Sequence, residues 1–358
     1  MYKIAIPLSP VIHTDVQEII LRIKKEIKIL EGKTILIAGA AGFLPSYLVH
    51  TLGYANTYLF KYPSKIICLD NFSTGTPERL HPWQKRSDIK FMKGDVIKAI
   101  KIKEHTDFII HGASIASPIW YRKYPLETID ANVIGTRRLL DLAKEHKVSG
   151  FVYFSSSEIY GDPLKGYIPT DENYLGNVSS TGPRACYDES KRLAETLCMV
   201  YYRQFNMPVK IIRPFNVYGP GLRLDDGRVV PDFINDALNK RQITILSNGK
   251  TTRSFCYIAD CVAATLLLLI SKAKGEAFNV GNPEEVSMLE LAQTVDKIAG
   301  GGGVRFSRSK DQAYLTDNPQ RRVPKISKIQ RVINWTPQVS LTEGLKRTLK
   351  FYKEGGKV

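Results

Sequence analysis

Residues 33–45 read Lys33-Thr34-Ile35-Leu36-Ile37-Ala38-Gly39-Ala40-Ala41-Gly42-Phe43-Leu44-Pro45, and this run decides the fold. Its first half is a short apolar stretch, as expected of a strand buried on both faces of a parallel sheet. Glycines at 39 and 42 let the backbone turn tightly, and Tyr47, Leu48 and Leu52 then continue at helical spacing. A strand that passes through glycine into a helix aims free backbone amides, and the positive end of the helix dipole, at an anion such as a pyrophosphate. The third glycine of such turns falls at Pro45, which a first helical turn tolerates at the loss of one amide.

Outward from this turn the same rhythm repeats. Lys65-Ile66-Ile67-Cys68-Leu69 reads as a second strand and ends at Asp70. An acid there can bond both ribose hydroxyls of an adenosine and would repel a 2′-phosphate, which favours NAD over NADP. Further strands are expected at 89–92, running into Gly94-Asp95-Val96, and at 108–111, 150–154 and 209–213. Helical patterns alternate with them, including Ile129, Val133, Leu139, Leu140 and Leu142. That alternation predicts an α/β fold, a Rossmann-type doubly wound parallel sheet. After Pro214 the pattern breaks into proline- and glycine-rich loops, with helices expected near 231–240, 259–272, 287–299 and 341–352 and a flexible Gly300–Gly303 run. We therefore expect a cofactor-binding domain over 33–213, joined by about 250–281, and a smaller mixed C-terminal substrate-binding domain from 214–249 and 282–352. Residues 1–32 form an N-terminal helical extension, capped by Thr14-Asp15, with Val16, Ile19, Ile20, Ile23, Ile27 and Leu30 on one face and Gly32 closing it.

Composition excludes several classes. The chain has 358 residues and a net charge of +16, but its basic residues are scattered, so we expect no nucleic-acid partner. Five cysteines without a C-x-x-C pair point to buried reduced thiols in a cytoplasmic protein, not a disulfide framework. Six dispersed histidines predict no metal site. There is no signal-peptide pattern, and the longest apolar run, Cys261–Ile270, is too short to insert across a membrane.

The chemistry centres on Gly182-Pro183-Arg184-Ala185-Cys186-Tyr187-Asp188-Glu189-Ser190-Lys191. Tyr187 and Lys191 stand four apart and share one helix face. An ammonium beside a phenol is expected to pull the tyrosine pKa down toward neutrality, where it can take and return the proton of a sugar hydroxyl. Ser155-Ser156-Ser157-Glu158 follows strand five, at the end of a parallel sheet where ligands bind. Serine hydroxyls there can hold a sugar oxygen, and Glu158 can move a proton, order a water or steer an acidic substrate. Arg253 and Arg322 lie in loop-like context, and arginine forks suit phosphate and carboxylate. Asn216, just past strand six, can bond a sugar or phosphate.

These residues together resemble an extended short-chain dehydrogenase/reductase of the nucleotide-sugar branch, over about 33–352. Within it the chain is most similar to the UDP-glucuronate decarboxylases. The matching stretches are His111–Pro118, Ser156–Pro163, Gly182–Glu189, Asp226–Val230, Gly281–Glu285 and Pro319–Arg322. The resemblance implies a tightly held NAD, with Gly39, Gly42, Phe43, Leu44, Asp70, Asn71, Asp95, Val96, Ala113, Asn132, Tyr187 and Lys191 as its contacts. It implies Ser156, Ser157, Glu158, Tyr187, Lys191 and Arg322 as catalytic residues: Tyr187 removes the O4 proton, Ser156 holds O4, and Glu158 and Arg322 handle the carboxylate and the C5 proton. Ser117, Tyr121, Asn216, Arg228, Arg253 and Arg322 are implied to bind a nucleotide sugar, a UDP-sugar in the decarboxylases, and a homodimer is implied through the helices after strands four and five. The chain departs from the family's pattern at Pro45, at Ser156 (usually Thr) and at Gly112 (usually Leu). A 4-epimerase and a 4,6-dehydratase share the first steps and stay open, and a non-catalytic NAD-binding scaffold is the alternative from a different class.

Overall fold

The structure is a computed structural model and describes residues 6–309, 316 and 318–356. The first five residues of the N-terminal extension lie outside them. The rest of it forms helix α1 (Pro10–Arg22) and a 3-10 turn at Glu26–Leu30. The core is a seven-stranded parallel sheet. Strands β1 (Thr34–Ala38), β2 (Lys65–Asp70), β3 (Ile89–Lys93), β4 (Phe108–His111), β5 (Gly150–Phe154) and β6 (Val209–Pro214) match the apolar runs of the sequence. Three short strands follow, β7 (Val217–Tyr218), β8 (Ile243–Ile245) and β9 (Thr252–Ser254), then β10 (Cys256–Tyr257) and β11 (Glu276–Val280). The sheet order is β11-β6-β5-β4-β1-β2-β3, so the order reverses beside β1 and leaves a crevice at the strands' C-terminal ends. β11 has no counterpart among the expected strands. It is short, opens on Glu276 and Ala277, and carries too little apolar run to stand out.

Helix α2 (Phe43–Tyr58) starts directly from the glycine turn. After β4 come α3 (Pro118–Lys123) and α4 (Pro125–Glu145), and after β5 comes α5 (Ala185–Phe205), which packs along α4. Beyond β6 lie α6 (Val229–Leu238), α7 (Ile258–Ile270), α8 (Met288–Ala299), α9 (Ser327–Ile333) and α10 (Leu341–Lys353). The remaining strands are β12 (Glu285–Ser287), β13 (Val304–Phe306) and β14 (Arg321–Arg322). β9 pairs with both β12 and β14, which places Arg253 and Arg322 side by side in register.

Two expectations about the N-terminal helix change: it ends at Arg22 and not at Gly32, the chain going on as the separate 3-10 turn, and its cap lies elsewhere. Ser9, not Thr14-Asp15, caps it, accepting from the Ile12 amide, because Pro10 fits a first turn. Asp15 lies instead on the buried face, accepting from the Tyr47, Tyr257 and Arg347 side chains at 3.1, 2.7 and 3.0 Å. The apolar face of α1 packs against α2 and α7. All five cysteines are unpaired, and Cys68, Cys198, Cys256 and Cys261 are buried. Among the described residues no helix is long and apolar enough to cross a membrane.

Candidate active site

A cleft of about 390 Å³ lies at the C-terminal ends of the central strands. At one end is the glycine turn. Gly39 has φ +77°, and a Cβ on it would come within 2.7 Å of the Ala113 backbone, so only glycine fits. Gly42 caps α2 without a side chain, which leaves the first-turn amides of Phe43 and Leu44 unclaimed by a cap where they line the cleft. Asp70, nearly buried at the end of β2, accepts from the Ala41 amide at 2.8 Å and the Phe72 amide at 2.7 Å, and burial pushes its carboxyl up. Asn71 donates to Asp95 at 2.9 Å, tying the ends of β2 and β3. Val96 packs on Gly135 of α4, where a Cβ would meet it at 2.6 Å. Asn132 of α4 donates to Ser190 at 2.9 Å, and its own Oδ1 is buried with no hydrogen-bond partner. Asp70, Asn71, Asp95, Val96, Ala113 and Asn132 do not line the cleft itself. A side-chain-free cradle, uncapped helix amides and a carboxylate on the next strand fit a dinucleotide.

The two departures at 45 and 112 prove to be one feature. A Cβ on Gly112 would sit 2.6 Å from Cγ of Pro45, so the proline ring fills the space that a side chain at 112 needs. With Pro45 in place, position 112 has no room for a side chain.

The middle of the cleft holds Tyr187 and Lys191, on one face of α5 and both buried. Here the expected electrostatics are corrected. Burial pushes the Tyr187 phenol up to about 12, although its hydrogen bond with Ser156 works the other way. Lys191 does not reach the phenol oxygen: its Nζ donates to the Phe154 carbonyl at 2.7 Å and lies 5.7 Å from the Tyr187 ring centre. Burial also brings Lys191 down to about 7, so it is half-charged near neutrality. The cost of burying both groups decides the two shifts. Ser156 caps the short 3-10 turn Ser157–Tyr160, its Oγ accepting from the Glu158 amide at 3.2 Å, and Ser157 is buried beside it. Tyr121 stacks on Tyr187 with ring centres 5.0 Å apart and planes at 13°, and its hydroxyl is buried without a partner.

The far end is cationic. Arg322, almost wholly buried on β14, grips Glu158 with both terminal nitrogens, one bond measuring 2.9 Å, and also donates to the Gly161 carbonyl at 3.2 Å. Arg184 donates to the same carboxylate, sharing its Oε2 with Arg322. Burial raises the Glu158 carboxyl, but Arg184 and then Arg322 outweigh it and hold the group far below the usual carboxylate range. Arg253 donates to the Asn318 side chain at 2.8 Å and the Pro319 carbonyl at 2.5 Å, and burial with the neighbouring Arg322 brings it down to about 9. Ser117 donates to the Asp226 carbonyl at 2.8 Å, Arg228 pairs with the Asp226 carboxylate, and Asn216 donates to the Ser254 carbonyl at 2.8 Å. All of these line the cleft.

Arg184 and Arg79 are among the cleft residues that the sequence reading does not single out. Arg184 carried a signal, since it stands three residues before Tyr187 and so shares its helix face. Arg79 carried none. It bridges the Ala41 carbonyl of the glycine turn and the Gly221 carbonyl, each at 2.7 Å, contacts that exist only in the fold.

A doubly wound sheet with this turn, an acid on β2 and a Ser–Tyr–Lys set over the crevice defines a nicotinamide-dinucleotide enzyme of the short-chain dehydrogenase/reductase type. Residues 35–281 match the model of the NAD dependent epimerase/dehydratase family, and the chain belongs to that family, whose cofactor is NAD. It is 41% identical over 312 residues to UDP-glucuronic acid decarboxylase 3 of Arabidopsis thaliana, covering 87% of this chain and 86% of that one. It is 37% identical over 324 residues to UDP-glucuronic acid decarboxylase 1 of Xenopus tropicalis, covering 90% and 73%. Among solved structures it resembles an epimerase from Methanothermobacter thermautotrophicus (TM-score 0.82, 28% identity, 94% of this chain and 96% of that one). It also resembles the UDP-glucuronic acid 4-epimerase of Bacillus cereus in complex with UDP-glucuronic acid and NAD (TM-score 0.75, 28% identity, 90% and 99%).

Proposed function

We propose that the protein is a UDP-glucuronate decarboxylase that makes UDP-xylose. The observation that carries this is the far end of the cleft, where Arg184, Arg322 and Arg253 surround a single carboxylate beside Tyr187. Such a pocket suits a sugar that bears an acid at C5. The two relatives at 41% and 37% identity, both UDP-glucuronic acid decarboxylases, support the same reading.

Tyr187, held by Ser156, takes the O4 proton as C4 is oxidised. Its place in the first turn of α5 favours the phenolate. Lys191, one helical turn on and also buried at the cleft, would hold the dinucleotide beside Tyr187. NAD, when bound, accepts the hydride from C4 and later gives it back, so no net oxidation occurs. The 4-ketone turns the substrate into a β-keto acid. The C5–C6 bond then breaks, its electron pair moves to O4 as an enolate, and carbon dioxide leaves. Glu158 and Arg322 handle the carboxylate and the proton that C5 takes up. Ser157 supports the turn that carries Glu158. Ser117, Tyr121, Asn216, Arg228 and Arg253 hold the nucleotide sugar. Gly39, Gly42, Phe43, Leu44, Asp70, Asn71, Asp95, Val96, Ala113 and Asn132 hold or frame the dinucleotide.

The same reading places the cofactor on the 33–213 unit with about 250–281, and the nucleotide sugar on 214–249 and 282–352. It also makes the protein a cytoplasmic homodimer. Leu126, Ile129 and Ile134 of α4 and Leu193 of α5 are exposed on the paired helices and support pairing there.

A 4-epimerase of the same acidic sugar is the second reading, favoured by the likeness to the Bacillus cereus enzyme. Incubation with UDP-glucuronate, followed by carbon dioxide detection and NMR of the sugar, decides between them. We expect carbon dioxide and UDP-xylose. An epimerised uronate without carbon dioxide would overturn the decarboxylase in favour of the epimerase.

A further inference from the structure

The mechanism above uses Glu158 and Arg322 but assigns no step to Arg184, although it too donates to Glu158. The two arginines hold it differently. Arg322 makes two bonds to Glu158 and a third to the Gly161 carbonyl, and its backbone is fixed by β14. Arg184 stands at the start of α5 without a capping role and makes one bond to Glu158 through Nη2. Its Nε is buried without a hydrogen-bond partner, 3.7 Å from the Asp188 carboxylate, and its guanidinium lies over the Tyr121 ring at 6.0 Å. Both arginines line the cleft beside Tyr187. Glu158 is thus a protein carboxylate lying where a carboxylate-bearing sugar has to go.

We propose that Glu158 is an internal stand-in for the substrate's carboxylate, and that Arg184 exchanges Glu158 for that carboxylate when an acidic nucleotide sugar binds, while Arg322 keeps Glu158. This rests on the reading of the substrate as an acidic nucleotide sugar. Arg184 is the partner that moves because one bond is broken there, against three at Arg322. The exchange has a chemical consequence. Glu158 is held far below the usual range by Arg184 and Arg322 together. Losing Arg184 returns basicity to Glu158 when a proton has to be handled at C5. When carbon dioxide leaves, the competing anion is gone and Arg184 returns to Glu158, which resets the site and weakens the hold on product.

Equilibrium binding of UDP-glucuronate and of its neutral counterpart UDP-glucose to the NAD-loaded protein tests this. Arg184→Met is expected to weaken UDP-glucuronate by about 10-fold or more and leave UDP-glucose within about 2-fold, the size of one lost charged hydrogen bond. Glu158→Gln removes the competing anion and is expected to tighten UDP-glucuronate several-fold, again sparing UDP-glucose, while turnover is lost. Retained NAD and an unchanged melting midpoint confirm that each variant is folded, and Glu158→Gln carries the test alone if Arg184→Met does not fold. Equal weakening of both sugars in Arg184→Met, or weaker UDP-glucuronate binding in Glu158→Gln, would overturn the exchange. Carbon dioxide release by the unaltered protein reports separately on the decarboxylase reading. A wild type that prefers the acidic sugar and releases none leaves the exchange standing and removes that reading.

Discussion

The two ends of the cleft are built from different kinds of sequence. The dinucleotide end comes from one continuous run, Thr34 to Tyr58, with Asp70 on the adjacent strand. Its geometry is local: a strand, a turn that needs glycine at 39, and a helix that begins where its amides are wanted. The sugar end is assembled from Glu158, Arg184, Arg253 and Arg322, which meet only because β9 and β14 pair and because the turn after β5 faces the start of α5. The first end states a cofactor class shared by a whole family. The second states a substrate, and small displacements there can change the reaction.

Tyr187 stands between the two, and altering it has the largest expected effect. Tyr187→Phe keeps the ring that stacks on Tyr121 but removes the acid–base hydroxyl and its bond with Ser156. Turnover of UDP-glucuronate should fall about 10²–10⁴-fold. NAD should stay bound, because the cradle is untouched. Turnover at the normal rate would remove Tyr187 from the chemistry and leave the two ends without a shared centre.

The same contrast explains what the sequence showed. Six sheet strands are legible because each is an apolar run closed by a turn signal, while β11, opening on Glu276, is not. The Tyr187–Lys191 spacing is legible as geometry but not as electrostatics. A count of nearby charges does not reveal that Lys191 is spent on the Phe154 carbonyl or that burial outweighs attraction at Tyr187. Glu158 and Arg322 are each legible alone. Their junction, with Arg184 as third member, depends on pairings 26 and 164 residues apart in sequence that no local pattern carries.

A smaller effect tests whether the dinucleotide end is as local as it looks. Pro45 and Gly112 are distant in sequence, yet the ring of one occupies the side-chain space of the other. Gly112→Leu should destabilise by about 1–3 kcal/mol through overpacking. Pro45→Gly made together with it should recover most of that loss. Denaturant unfolding of the single and double variants gives the coupling. Additive losses would mean that the two positions are independent and that the glycine turn does stand alone.

The smallest effect lies farthest from the chemistry, where the dinucleotide helix is tied to the end of the chain. Asp15 of α1 is buried against Tyr47 of α2, Tyr257 before α7 and Arg347 of α10, and Glu18 shares Arg347 with it. Burial, opposed by these partners, pushes its carboxyl from 3.8 up to about 6. The fold therefore binds this proton more tightly than the unfolded chain does. The stabilisation from Asp15 is fully present below pH 4 or so and is lost as pH rises through about 6. Lowering pH from 7 to 4 should stabilise the wild type relative to Asp15→Asn by on the order of 1 kcal/mol, read from paired melting curves. A difference that stays flat with pH would mean that Asp15 keeps its charge in the fold, with Arg347 as a full ion-pair partner. The dinucleotide helix would then be anchored to α10 by charge and not by a shared proton.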